Sequence, residues 1–255
     1  MLNGALEIAR RDLMRLFCSP LAWTVLALLQ LVLGVFFFIV FLWDFGEKQA
    51  LLVAAKSNFG ITAYVAAPLF KAAALLMALA APLLTMRALA EERRSGTMAL
   101  LLSAPVGMSA IVIGKYAALL IFMALATTLV ALMPLSLALG GSIDLGLLAS
   151  ATLGLFLCLA TFAAAGLFVS SLTRQPAAAA MGALGLLLAL WFVDFGGATA
   201  SGGPAQALAW LSLTRHADAL MRGVFATADV AYFAILIVTF LVFTVRRLDA
   251  LRLGE

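Results

Sequence analysis

The chain has 255 residues, of which 65% are hydrophobic and only 11% charged, and its formal net charge is +4. A soluble domain of this length carries roughly 25% charged residues on its surface, so water is not its main solvent. The 16 basic residues lie in short clusters between apolar runs, which is the pattern that orients membrane spans and not that of a nucleic-acid-binding face.

Residues 2–17 open the chain with Leu2, Leu6, Ala9, Leu13, Leu16 and Phe17 along one helical face and Glu7, Arg11 and Arg15 on another. This predicts an amphipathic helix (1–17) lying on the inner membrane surface, with Arg10, Arg11 and Arg15 toward headgroups. A span needs about 20 apolar residues. By that criterion the sequence predicts an all-α membrane protein of six spans, at 21–43, 72–89, 111–139, 145–169, 177–193 and 230–245. The first is too long for a signal-peptide core and reads as an uncleaved anchor. Between it and the second, Phe59, Ile61, Tyr64, Val65 and Phe70 predict a shallow outer helix. Arg174, Gln175 and Pro176 separate the fourth span from the fifth, with proline placed for a first helical turn. The segment 194–229 begins with glycines and continues through Leu208, Trp210, Leu213, Leu220 and Phe225, which predicts a re-entrant or interfacial helical pair.

An even number of spans puts both termini on one side. Sorting the basic residues gives eleven inside (Arg10, Arg11, Arg15, Arg87, Arg93, Arg94, Lys115, Arg174, Arg246, Arg247, Arg252) and five outside (Lys48, Lys56, Lys71, Arg215, Arg222). Both termini are therefore expected in the cytoplasm of a bacterial cell, with the spans in its inner membrane.

Catalytic chemistry is not expected. One histidine, His216, excludes paired-His metal motifs, and it reads as solvated or locally paired beside Arg215 and Asp218. Cys18 and Cys158 are poorly placed to bond. Gly114-Lys115 lacks the Walker pattern, since Ser109 and Tyr116 stand at its flanking positions, so no nucleotide is bound by this chain; Lys115 reads as snorkelling. No cofactor is implied. Scattered carboxylates argue against a proton relay, so ion-coupled pumping is not expected. Small residues at 160–166 and 177–185 allow close helix approach, within one subunit or between copies.

The sharpest feature is the segment 90–105, in which Glu91-Glu92-Arg93-Arg94-Ser95-Gly96-Thr97 precedes an apolar run. Gly96 permits a sharp bend and Thr97 can cap a following helix. With Leu100-Leu101-Leu102-Ser103-Ala104-Pro105, Ile113-Gly114-Lys115-Tyr116, Leu211-Ser212-Leu213-Thr214-Arg215-His216, Arg222-Gly223, Asp229 and Thr244-Val245-Arg246-Arg247-Leu248, it resembles the ABC-2 type transporter permeases, in particular the branch with the gliding-motility and nitrous-oxide-reductase maturation permeases.

The resemblance implies a single permease domain that pairs with a second copy or a sister permease and is driven by separate ABC ATPase subunits. It also implies that the loop after the second span is a coupling element braced by the amino-terminal helix. Carried over, Glu91, Glu92, Arg93, Arg94, Gly96 and Thr97 contact the ATPase, and Arg215, His216, Arg222, Gly223 and Asp229 belong to a periplasmic segment. Ala99 stands where many relatives carry an acid, so a contact through that acid is not carried over. The alternative reading is a stand-alone channel or membrane scaffold. The transported substrate is not encoded in any motif of the chain.

Reporter tags at residue 1 and residue 255 test the orientation: both are expected to be shielded from an impermeant label in intact cells, and labelling of either one overturns it.

Overall fold

A computed structural model describes residues 2–41, 47, 61–98, 107–139, 143–199 and 212–253, with backbone only at 2–3, 61 and 194–199. In chain order the helices are α1 (Leu2–Cys18), α2 (Pro20–Phe38), α3 (Ile61–Thr85), the short α4 (Ala90–Arg94), α5 (Met108–Leu135), α6 (Leu145–Leu172), α7 (Pro176–Thr199), α8 (Leu213–Met221) and α9 (Thr227–Leu253). Among the described residues, six helices (α2, α3, α5, α6, α7 and α9) are long and apolar enough to cross a membrane.

Local chemistry sets several boundaries. Ser19 is extended and Pro20 takes the first turn of α2, where a missing N–H costs nothing, so the chain turns sharply between α1 and α2. Asp144 caps α6, its carboxylate accepting from the Leu147 N–H at 3.0 Å. Thr62 ties that corner to the start of α3, its hydroxyl accepting from the Asp144 N–H at 3.1 Å.

The ends of α1, α3 and α6 meet the start of α5, while the starts of α3 and α6 meet at Thr62 and Asp144, so the bundle has a terminal end, near α1, and an opposite end. Helix α6 is the axis of the bundle: 72% of its apolar window is buried, against 17% for α2 and α7 and 22% for α9, which face outward. Its centre is built of small residues, with Ala160 and Ala163 to Gly166 all buried, so this stretch serves packing inside the chain and is not free to meet a second copy. A Cβ on Gly166 would stand 2.2 Å from the Thr85 hydroxyl oxygen and 2.8 Å from its Cβ, so α3 and α6 touch there only because the side chain is missing.

One expectation is corrected. The shallow outer helix before the second span is absent from 61–70, which form the first turns of α3 itself. Helix α3 runs on through Lys71, whose ammonium stays half-exposed at the helix surface and pairs with Asp218 of α8 at 2.9 Å. Of the re-entrant pair only α8 is seen; α7 continues through the first glycines to Thr199, and 200–211 lie outside the described residues.

Gly166→Ala is expected to destabilise the protein by about 1–3 kcal/mol through overpacking, read as a lower melting temperature in detergent. Adding Thr85→Ala should recover part of the loss, since it removes the atom at 2.2 Å and leaves the one at 2.8 Å.

Candidate functional site

At the terminal end, α1, the start of α5, the end of α6 and the short α4 meet around one buried ammonium. Lys115 projects from the second turn of α5 and is 2% exposed. Its Nζ donates to Asp12 Oδ2 of α1 at 2.8 Å and to Glu92 Oε1 of α4 at 2.8 Å. Arg11 adds a longer contact to the same Glu92 oxygen at 3.5 Å. Neutralisation in place is what allows the ammonium to be buried, because an unpaired charge there would cost several kcal/mol.

The residues around Lys115 each serve a different contact. Gly114 lets α1 lie directly on α5, since a Cβ there would be 2.7 Å from the Ala5 carbonyl oxygen and 3.0 Å from Ile8 Cβ. Tyr116 turns to the other side, its hydroxyl donating to the Ala160 carbonyl of α6 at 3.2 Å. The triplet Gly114-Lys115-Tyr116 therefore ties together α1, α4, α5 and α6, and its spacing matters because successive helical residues point about 100° apart.

Helix α4 is held from a second side by α6. The Ser170 hydroxyl oxygen accepts from the Leu89 and Ala90 N–H groups, both at 3.1 Å, and donates to the Met86 carbonyl at 3.1 Å. Arg93 Nη1 donates to the Ser171 carbonyl at 2.6 Å. Three backbone groups of a tight corner and one guanidinium thus find partners at the end of one helix. Beyond α4 the chain bends at Gly96, whose φ of +76° lies in the left-handed region. The Thr97 hydroxyl donates to the Glu92 carbonyl at 3.4 Å, back across that bend.

The segment singled out in the sequence consequently divides in two. Glu92 is 5% exposed and its carboxylate closes on Lys115, while the Arg93 guanidinium turns to Ser171, so both are engaged within the protein. Glu91, Arg94, Ser95, Gly96 and Thr97 are exposed. A cleft of about 740 Å³ opens beside them, with Glu91, Arg94 and Ser95 on one wall and Gln175, Pro176 and Ala177 on the other. The helix predicted after Thr97 falls in 99–106, outside the described residues. Lys115 does not snorkel as its position at a span end suggested, because two carboxylates reach it inside. On α1 the buried side includes Ala9, while Leu6 is 72% exposed, a rotation from the expected apolar face that admits Asp12 to the junction. Arg10 and Arg15 are exposed.

At the opposite end, His216 of α8 meets Asp229 in the first turn of α9, Nδ1 to Oδ1 at 2.6 Å, and its ring stacks on Tyr232 with centroids 4.1 Å apart. The local contact expected of His216 exists, with Asp229. Gly223, at φ +85°, turns the chain between α8 and α9 against Leu147. Arg222 lies 3.9 Å from Asp218, and Arg215 is exposed. Among the described residues no group of three His, Cys, Asp or Glu side chains could hold a metal.

The Lys115 junction could have been suspected only from helical registry: Asp12 lies on α1 one turn beyond Ile8, which packs on Gly114. Ser170 and Ser171 carried no sequence signal, as serines near a span end are unremarkable.

A family profile described as ABC-2 family transporter protein matches residues 6–249 of the chain. No curated protein matches it.

Lys115→Met leaves two carboxylates facing each other without their cation and is expected to cost about 3–5 kcal/mol. Asp12→Asn and Glu92→Gln combined with it should return much of that stability. Thermal melts of the single and triple variants in one detergent measure the coupling, and equal losses in both would deny the junction its electrostatic role.

Proposed function

The chain belongs to the ABC-2 family of transporter membrane proteins, and from that membership we infer that it is the permease subunit of an ATP-driven exporter, coupled to separate ATPase subunits through the segment that follows α3. The observation that carries this reading is the split of α4. Its inner face is bolted to α1, α5 and α6 by Glu92, Arg93 and Ser170. Its outer face presents Glu91, Arg94 and the Gly96 bend beside an open cleft.

A docking element needs both properties. The exposed charges of opposite sign select and orient a partner surface. Rigid attachment then converts displacement of α4 into displacement of the helices behind it, as a rigid-body rotation. Residue by residue, Glu91, Arg94, Gly96 and Thr97 are the ATPase contacts, while Glu92 and Arg93 position the element from behind. The amino-terminal helix acts as a brace, because Asp12 holds the same ammonium that holds Glu92.

In this reading both termini and α4 lie on the cytoplasmic side, where ATP is. The permease works with a second copy of itself or a sister permease; α7, with Met181 74% exposed and open space around Gly185, presents a close-approach surface for one. His216, Asp229 and Gly223 fix α8 against the bundle on the periplasmic side, where they shape the exit. The gliding-motility and nitrous-oxide-reductase branch suits the order of the motifs.

Reversing the outer charges, Glu91→Lys with Arg94→Glu, is expected to reduce co-purification with the ATPase and ATP turnover of the complex by about tenfold, with the melting temperature of the permease unchanged. Arg93→Glu should instead lower the melting temperature, having lost its bond to Ser171. Undiminished co-purification and turnover in the charge-reversed variant would remove α4 as the docking site.

A further inference from the structure

A second concave feature at the terminal end adjoins the α4 cleft, with Arg87 and Glu91 lining both. It measures about 260 Å³ and lies between the end of α1, the start of α2, the end of α3 and α5. Arg15 and Arg87 line it together with Leu16, Leu21, Leu83 and Leu84. We propose that this cleft is a binding site for the phosphate ester of an anionic phospholipid from the leaflet on the side of the chain termini, whose acyl chains begin on the leucine wall.

The charges support an anionic ligand. The cleft also contains Asp12, Glu91 and Lys115. Asp12 is taken up by Lys115 at 2.8 Å, and Glu91 is 3.9 Å from Arg87. Arg15 has no ion-pair partner among the described residues. Lys115 is neutralised by Asp12 and, behind it, by Glu92, so Arg15 is the lining charge left for a ligand, and its exposed guanidinium offers paired N–H donors to phosphate oxygens.

The walls support a lipid as the source of that phosphate. Leu83 is 43% exposed beside Arg87, so an apolar surface continues outward from the charged mouth. Helix α1 also carries Leu6 and Met14 exposed at 72% and 53%, among Arg10, Arg11 and Arg15, a mixture suited to the boundary between headgroups and acyl chains. Basic clusters at that depth attract anionic lipids by about 1 kcal/mol per charge. The volume accommodates a headgroup and falls short of the roughly 300–1,000 Å³ typical of drug-sized ligands, which disfavours a nucleotide.

A lipid seated here would touch α1, α2, α3 and α5 at once and fill the space behind Asp12 and Lys115. It would therefore stiffen the junction from the membrane side. Although Arg87 and Glu91 line both clefts, lipid retention is read on the permease without its ATPase, so failure of this site and failure of the coupling reading are distinguished.

The test uses the purified full-length chain in a neutral detergent, with phosphatidylglycerol, phosphatidylcholine or inorganic phosphate added at equal concentration. Native mass spectrometry reads bound lipid and intrinsic tryptophan fluorescence reads melting. Phosphatidylglycerol is expected to be retained and to raise the melting temperature above that in phosphatidylcholine. Arg15→Gln with Arg87→Gln should cut retention by about tenfold, the equivalent of one good charge-assisted contact. Arg10→Gln, which removes an exposed charge of α1 outside the cleft, should leave retention unchanged. Leu83→Trp, which narrows the cleft without altering charge, should also reduce retention and serves if the arginine variant does not fold. Three results overturn the proposal: no preference for phosphatidylglycerol, an equal loss in Arg10→Gln, or the same melting shift from inorganic phosphate alone, which would assign the cleft to a free anion.

Discussion

One buried ammonium organises the end of this protein where its termini lie. Lys115 is enclosed by Asp12 and Glu92, two carboxylates from helices far apart in sequence, and neither pairing could be dropped without leaving charge in an apolar setting. The constraint is stricter than a surface ion pair. Surface pairs contribute about 0–1 kcal/mol and tolerate loosening, whereas a buried cluster admits few geometries. As a result α1, α4 and α5 are fixed relative to one another by charge, and α6 joins them through Ser170, Ser171 and the Tyr116 hydroxyl bond to Ala160.

The remainder of the bundle rests on a different principle. In a bilayer, lipid tails are as apolar as leucine, so helices associate through close packing and specific polar contacts instead of through expulsion of water. Helix α6 meets that requirement with alanines and Gly166 at its centre, and its buried neighbours include Phe162 and Leu167. The outward helices α2 and α9 keep large apolar side chains such as Leu31, Val35, Ile235 and Val238 exposed, which is stable only against lipid or another apolar surface.

The two ends differ in kind. The opposite end is stapled by pairs, His216 with Asp229 and Lys71 with Asp218, which hold the short α8 against α9 and α3. The terminal end has a connected network instead, flanked by two adjoining clefts that share Arg87 and Glu91. A network of this type transmits displacement, because moving Glu92 disturbs Lys115 and, through it, Asp12.

Hydropathy determined the number of spans, because about 20 apolar residues in a row have a single stable solution in a membrane, but not all their boundaries: α3 begins at Ile61 and α9 runs on to Leu253, beyond the apolar runs that announced them. The charged segment after α3 and the bend at Gly96 were equally legible, since both are properties of consecutive residues. What only the tertiary structure decided is which charges are spent internally. Glu91 and Glu92 are indistinguishable in sequence, yet one faces outward and the other closes on Lys115, because helical rotation and the position of α1 set their directions. Lys115 read as an interface charge and became a buried partner for the same reason: whether a cation must reach water depends on whether a carboxylate from a distant segment reaches it first.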